Sequence, residues 1–503
     1  MEKRRLLRLS DLLPNRVEVA KNVLRSSSFY DFDEAKTAMK DLQTALRLYT
    51  LNSAYFDFNL KRISFRPSLR NLKLVFKAIS GEQTNIFEEF YERYWSTWLL
   101  NENLSLVGIS ISAEEQIIPG LILASLIKRQ MPEVHICLGG RPITRLGYRI
   151  ESLREIWRCF DSIVCGDGER SIVELADALL HGKDLTRVPN LVFKDNQGRI
   201  IRNEYSVDAQ LDALPFPIFG KLPLDRYFLP EVVFPVEMGR GCYWSNCTFC
   251  EETDIKHRIR NTSYVLENIR CLVKEHNARY FTIVDPCCSP TVLQQFGRQL
   301  IEGDIEIYWN AFVRAEKSLT SSLTALLRKS GCLMLMLGIE SGSRRILELM
   351  KKGIDVEYVP LVLKNVSAAN IWTHAYFMRG FPTESYREFH QTVNLVTKCA
   401  ENLDSVTLSH FVMPTDTVIA SKYITNSKHA MEPTDAGLSL YVGHRKTASV
   451  GPRNPLEEAK IGELWDSAIN MLLTDSRKWG LLEINQILLH LGENGKAFFL
   501  KRR

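Results

Sequence analysis

Between residues 231 and 413 the chain repeats one rhythm six times: a short run of aliphatic, β-branched and aromatic residues, a loop, then a helical pattern. The strand-like runs are VVFPVEMG, RYFTIVD, IEIYWNAFV, CLMLMLGIE, WTHAYFMRG and SVTLSHFVM. Helical stretches such as SYVLENIRCLVKEH, PTVLQQFGRQLIEG and SYREFHQTVNLVTKCAEN separate them. Strands that alternate with helices pair in parallel, because each helix returns the chain to the same edge of the sheet. Six such units in order predict a partial or complete parallel β/α barrel.

A second, shorter alternation precedes it. SLVGISIS, VHICLGG and FDSIVCGDGE read as strands, and PGLILASLIKRQ, ESLREIWRCF and RSIVELADALLHG as the helices that follow. NLVFKDNQGRIIRNEY then predicts a hairpin with a polar turn from Asp195 to Gly198. Gly139-Gly140 and Gly166, Asp167, Gly168 and Glu169 fall at strand ends, where ligands bind in open parallel sheets and where tight turns also occur. Residues 1–100 read as mainly helical, with aromatic-rich stretches YFDFNLKRISF and IFEEFYERYWSTWLL that suit a core or an interface. LDALPFPIFGKLPLDRYFLP, with its four prolines, reads as a linker. The expected organisation is a helical region at 1–100, an open sheet domain at 101–205, a linker at 206–230, the barrel at 231–425 and a helical region at 426–503. LWDSAINMLLTDS and LLEINQILLHLG are the closing helices.

The 503 residues are 45% hydrophobic and 24% charged, which excludes a disordered or low-complexity chain. The surplus of Lys+Arg over Asp+Glu, 64 to 59, is too dilute to argue for nucleic acid. Asp11 and Pro14 interrupt the opening apolar stretch, and the run from Ile117 to Ile127 is about half a bilayer span, so neither export nor membrane insertion is expected. A cytoplasmic setting is the expectation, where cysteines serve as metal ligands or nucleophiles more often than as bridges.

That matters for MGRGCYWSNCTFCEE, in which Cys242, Cys247 and Cys250 place three thiols on the loop after the first barrel strand. Thiolates select zinc, copper or iron–sulfur clusters. A structural zinc site needs a fourth ligand, and only a fold-back of His257 or Cys271 supplies one nearby. Three thiolates on a four-iron cluster leave one iron open for chemistry. Gly239 and Gly241 let the loop wrap closely, with backbone N–H groups toward the sulfurs.

This stretch resembles the cluster loop of radical S-adenosylmethionine (SAM) enzymes, and the resemblance extends over about 231–420. It implies an enzyme in which Cys242, Cys247 and Cys250 hold a [4Fe–4S] cluster. SAM chelates the open iron and is cleaved reductively, and the resulting 5′-deoxyadenosyl radical abstracts hydrogen from the substrate. Four residues separate the first two cysteines, where the commonest family spacing is three, and longer spacings occur in relatives that mature ribosomally made peptides. By the same resemblance Phe249 packs near the adenine and Asp285, in TIVDP, holds the SAM amine. Glu340 and Ser341, in GIESGSRRILELMKKG, reach SAM, and Gly380, in AYFMRGFPTES, shapes a loop beneath it. Arg314 is the expected carboxylate partner, because a guanidinium forks a carboxylate. Cys287 and Cys288, at the mouth of the second strand, either pack under the loop or present one thiol as a hydrogen-atom donor or covalent handle.

Residues 101–205 resemble the cobalamin-binding domain found before such barrels, with GDGERSIVELADAL in place of the GEGE segment. The Asp-x-His-x-x-Gly motif that offers an imidazole to cobalt is absent, and the only histidines before the linker are His135 and His181. The fold expected from the whole resemblance is α/β, a Rossmann-like cobalamin-type sheet followed by a radical SAM barrel. The expected cofactors are a [4Fe–4S] cluster, SAM and, in one reading, cobalamin. The expected activity is modification of an unactivated carbon of a peptide or other natural-product intermediate, by methylation if cobalamin binds and otherwise by crosslinking, epimerisation or rearrangement. An electron donor such as flavodoxin or ferredoxin is the implied partner. A non-catalytic, metal-stabilised scaffold is the alternative from another class.

Overall fold

The structure is a computed structural model that describes residues 13–82, 85–94, 103–207, 210–426, 437–441, 459–460, 462–466 and 483–500. It divides into two compact units, one built mainly from residues 40–209 and 420–442, the other from 18–39, 210–419 and 443–503.

In the first unit a short antiparallel hairpin, β1 (Phe56–Phe58) and β2 (Ile63–Phe65), interrupts a region whose composition reads as helix. The aromatic alternation FDF and ISF explains it: Phe56 and Phe65 meet at 5.5 Å and Phe56 and Phe87 at 4.8 Å, so the rings bury one another. The main sheet has five strands in chain order: β3 (Leu106–Ser110), β4 (His135–Gly139), β5 (Ser162–Val164), β6 (Leu191–Lys194) and β7 (Ile200–Arg202). The first three run parallel and the last two form the expected hairpin. The helix Ile117–Gln130 contains the apolar run and is buried almost all round, which suits a helix with no polar face. It packs between the sheet and the helices Leu72–Ile79 and Ile86–Tyr94. The next helix spans Arg141–Ser152, starting ten residues before the ESLREIWRCF stretch expected to form it; that stretch supplies only its last two residues and then a 3-10 turn at Ile156–Arg158. Gly140, at φ +101°, turns the chain directly from β4 into Arg141-Pro142, and proline fits the first turn of a helix.

The second unit holds six parallel strands in chain order: β8 (Val233–Val236), β11 (Tyr280–Ile283), β12 (Tyr308–Arg314), β13 (Cys332–Glu340), β14 (Trp372–Arg379) and β15 (Ser405–His410). A small antiparallel pair, β9 (Gly239–Arg240) and β10 (Arg258–Ile259), sits between the first two. Side-chain caps start the intervening helices, with Asn261, Ser289, Thr320, Ser343 and Ser385 each accepting a backbone N–H of the first turn. Monotonic strand order puts successive right-handed crossovers on one face. That face is apolar: Phe296 of the helix Pro290–Glu302 meets Trp309 edge-on at 5.5 Å. The opposite face carries the row Thr282, Asn310 and Met334, then Met336, His374 and Ser405. The helix Ile484–Leu500 packs on β11, β12 and β13. Its Lys496 reaches the Ile371 carbonyl at 3.0 Å and Asp404 at 2.7 Å, at the entry to β14 and β15. The closing helix at 464–476 is described only over 464–466; the rest lies outside the described residues. No helix among the described residues is long and apolar enough to cross a membrane.

Candidate functional site

The site grows from the C-terminal ends of the six parallel strands. After β8 the chain turns into the three-cysteine loop, whose base is pinned three ways. β9 pairs with β10, the Arg260 N–H donates to the Met238 carbonyl at 2.8 Å, and the Met238 N–H donates to Asp285 Oδ1 at 2.8 Å. Gly239 leaves no room for a Cβ, which would lie 2.5 Å from the Arg258 carbonyl oxygen. Gly241, at φ +74°, turns the chain in the left-handed region into Cys242.

Within the loop the Ser245 and Trp244 N–H groups bond the Cys242 sulfur, and the Glu252 N–H donates to Cys250 Sγ at 3.4 Å. The thiols sit in unequal surroundings. Cys242 is pushed down to about 5, chiefly by a hydrogen bond from the Cys287 thiol. Burial raises Cys247, and it pushes Cys250 up to about 12. Among the described residues no three His, Cys, Asp or Glu side chains close on one point as ligands of a single ion would. Three thiols spread along one loop, with amide donors on two of them, suit a multi-iron cluster whose irons each take one ligand.

The loop is docked onto the end of the helix Arg344–Met350. A helix leaves its last four carbonyls without internal partners. Here the N–H groups of Lys351 and Lys352 turn back to the Leu347 and Glu348 carbonyls in a left-handed cap, with Lys351 at φ +52°. The next four carbonyls all have donors. Thr248 Oγ1 donates to Leu349 at 3.0 Å, the Thr248 N–H to Met350 at 2.9 Å, Trp244 Nε1 to Lys351 at 2.8 Å and Arg314 Nη1 to Lys352 at 3.3 Å. The Trp244 ring lies on Gly353, where any Cβ would collide with it.

The other residues singled out in the sequence fall around this loop in different ways. Asp285 is buried, and burial pushes its carboxyl up to about 7; both Met238 and Gly239 donate backbone N–H groups to it, so in this structure it braces the loop. Arg314 ends β12 with Nη2 on Glu316 at 2.6 Å and its guanidinium 3.7 Å over the Trp244 ring, while its buried Nε–H has no partner. Glu340 ends β13 at φ +71° and pairs with Lys352 Nζ at 2.8 Å. Ser341 is fully buried, its hydroxyl accepting the Ser343 N–H at 3.1 Å beside Thr392. Phe249 sits edge-on to Phe381 and Phe411, from the loops after β14 and β15. Gly380, at φ +80°, donates its N–H to Glu384 at 2.6 Å and shapes the turn that presents Phe381. Of the adjacent cysteines, Cys287 faces Cys242, whereas Cys288 is buried and donates its N–H to the Phe312 carbonyl at 2.8 Å.

Sequence reasoning missed Lys352. Burial opposes its charge, but the Glu340 carboxylate and the Cys247 thiol hold the ammonium above the usual lysine range. Its Nζ also stands 5.9 Å from the Phe249 ring centre. The only signal was MKKG, at the end of SGSRRILELMKKG, a segment that reads as a helix. Tyr243, bonded to Glu316 at 2.8 Å, was missed with it.

The comparisons agree with this geometry. Residues 236–396 match the radical SAM superfamily. An uncharacterized methyltransferase of Pyrococcus horikoshii is 28% identical over 284 residues, 55% of this chain and 60% of the relative. An anaerobic magnesium-protoporphyrin IX monomethyl ester cyclase of Rubrivivax gelatinosus is 26% identical over 286 residues, covering 54% of this chain and 50% of the relative. The chain thus spans only 50–60% of the length of these relatives. Among solved structures, TsrM of Kitasatospora setae, a radical SAM methyltransferase with cobalamin and a [4Fe–4S] cluster bound, superimposes with a TM-score of 0.62 at 15% identity, over 86% of this chain and 94% of TsrM. The cobalamin-dependent radical enzyme OxsB, with SAM and aqua-cobalamin bound, gives 0.60 at 15% identity over 85% of this chain and 69% of OxsB. The chain therefore carries a radical SAM domain, set in the fold that TsrM and OxsB share.

Proposed function

We propose that the chain is a radical SAM enzyme that modifies an unactivated carbon of a peptide or natural-product intermediate, with cobalamin-dependent C-methylation as the favoured reaction. One observation carries the first part: beside Cys247 lie Cys242, the Glu340–Lys352 pair and Arg314, whose buried Nε–H has no partner. In this reading Cys242, Cys247 and Cys250 hold a [4Fe–4S] cluster, and Arg314 offers Nε–H to the SAM carboxylate. Glu340 and Gly380 line the SAM site and Phe249 lies near the adenine. Asp285 holds the loop by its backbone, and Ser341 shapes the turn after β13. Cys287 is the thiol of its pair poised to act as donor or handle, because Cys288 points into the core. Cluster, SAM and cobalamin supply one-electron cleavage and methyl-carrier chemistry when bound, and the protein's part is to bind, orient and exclude water.

Methylation draws on the relatives' names and on the TsrM and OxsB folds, so it stands one step further from the residues. His135 bonds Ser162 at 2.8 Å inside the sheet, and His181 lies 3.5 Å from Asp177 at a helix end, so neither is offered as a cobalt ligand. Tyr205 covers Gly166, whose Cβ would lie 2.7 Å from the ring. These two observations favour the second reading, crosslinking, epimerisation or rearrangement without cobalamin.

Anaerobic reconstitution with iron and sulfide separates the outcomes. The expected result is one [4Fe–4S] cluster per chain and reductant-dependent consumption of SAM. Methylated product with S-adenosylhomocysteine, seen only when cobalamin is added, supports methyl transfer. 5′-Deoxyadenosine without methylation supports the second reading. A chain that takes up one zinc and no iron overturns both.

A further inference from the structure

Lys352 is a charged group beside the thiols that the reading above leaves unclaimed, and its position is over-determined. Four successive carbonyls, from Leu349 to Lys352, are held by Thr248, Trp244 and Arg314, so the turn cannot shift without releasing the cluster loop. Gly353 locks the other side, because Trp244 occupies the space of its missing side chain. From this turn the side chain reaches toward the loop, with Nζ 5.9 Å from the Phe249 ring centre. Its Nζ meets Glu340 at 2.8 Å, and a Cβ on Gly338 would lie 3.0 Å from it, so the strand's glycine makes room for the ammonium. The lysine interacts electrostatically with Cys242, Cys247, Cys250 and Cys287 together.

We propose that Lys352 is a positioning residue for the metal centre, a fixed positive charge that raises the reduction potential of a cluster held by Cys242, Cys247 and Cys250, with Glu340 as its opposing charge. This rests on the radical SAM reading of the three cysteines. The physics is direct. Reduction adds a negative charge to the centre, and a cation held nearby in a poorly solvated site favours that charge more than it would in water. Glu340 acts with the opposite sign, and at φ +71° its backbone is committed to that place. A lysine needed only for packing or for neutralising Glu340 predicts no such signed effect.

The test is a redox titration, followed by electron paramagnetic resonance, of reconstituted wild type, Lys352→Arg, Lys352→Met, Glu340→Gln and the Lys352→Met/Glu340→Gln double variant, with iron counted in each. Lys352→Met is expected to shift the midpoint downward by at least the equivalent of a tenfold change in the reduction equilibrium, about 59 mV for one electron. Glu340→Gln is expected to move it upward, Lys352→Arg to stay near wild type, and the double variant to return toward it. If Lys352→Met does not hold a cluster, the upward shift in Glu340→Gln carries the test alone. Unchanged midpoints in fully loaded Lys352→Met or Glu340→Gln overturn the proposal while leaving the cluster reading intact. A wild-type chain that never takes up a cluster overturns the reading itself, and with it the charge that acts on it.

Discussion

In the six-stranded sheet the C-terminal ends of β12 and β13 and the loops after β8 and β11 carry thiols, carboxylates and a guanidinium. In the five-stranded sheet the corresponding strand ends are taken up by packing. Gly140 lies against the Ile111 carbonyl, Gly166 lies under Tyr205, and Glu114 accepts the Leu440 N–H at 2.7 Å. Both sheets follow one construction rule, parallel strands joined through helices, and that rule makes the C-terminal edge a place where a ligand can bind. What the loops carry decides whether chemistry follows. The cysteines show it: Cys137 and Cys159 in the first unit are pushed up to about 11 by burial and behave as small hydrophobes, whereas Cys242 is drawn down to about 5.

The sharpest way to break this comparison is to remove a thiol from each sheet. Cys250→Ala should abolish cluster absorbance and SAM cleavage on reconstitution, while Cys137→Ala should keep both and cost about 1–2 kcal/mol by denaturant unfolding. Retention of the cluster in Cys250→Ala removes the distinction. Glycines give the next largest contrast. Gly353→Ala must strain a φ of +69° and displace the Trp244 ring of the cluster loop from this turn, with an expected cost of about 3 kcal/mol or more. Gly182→Ala, at φ +61° with open space around it, should cost only about 1 kcal/mol, so equal costs would show that the docking of Trp244 contributes nothing.

His374 gives a pH-dependent effect of similar size, confined to the six-stranded sheet. It is buried between Ser405, 2.7 Å from Nδ1, and Thr407, 3.2 Å from Nε2, and burial pushes it down to about 4. Because the folded value lies below the unfolded one, near 6.5, its contribution is whole above that pH and is lost as pH falls toward 4, about 3 kcal/mol in all. Melting temperature measured across this window should fall more steeply in wild type than in His374→Gln. A smaller effect concerns the apoprotein's thiols. Iodoacetamide at pH 7 should label Cys242 ahead of Cys137 and Cys159, and Cys287→Ala should slow that labelling by about tenfold, since the thiolate loses its main donor. Equal labelling in both proteins discards the Cys287–Cys242 bond as the cause.

Much of the six-stranded sheet was legible because its strands are short and apolar and the first five lead into capped helices. CLMLMLGIE forms a strand over all nine of its residues, Cys332–Glu340. The expected turn at Asp195 forms as well, with the Gly198 N–H on the Asp195 carbonyl at 2.9 Å. Misreadings arose where pairing overrides local propensity. FDF and ISF become strands because their rings find each other, and the helix after β4 starts early because Gly140 bends the chain at once. The three cysteines were visible as a motif. Lys352 was not, because it meets Cys247 across about a hundred residues of chain, and nothing local in MKKG marks a lysine as buried.

By itself the sequence determined the order of strands and helices, the position of the thiol loop after the first barrel strand, and the residue types at each strand end. Periodicity and capping act within a few residues and are written locally. Only the tertiary structure decided which of those groups meet: that Asp285 braces the loop, that Arg314 keeps a buried N–H without a partner, and that Lys352 pairs with Glu340 beside Cys247. The reason is physical. Strand register and the docking of a helix end are set by contacts between distant segments, and a charge takes its environment from the fold that buries it.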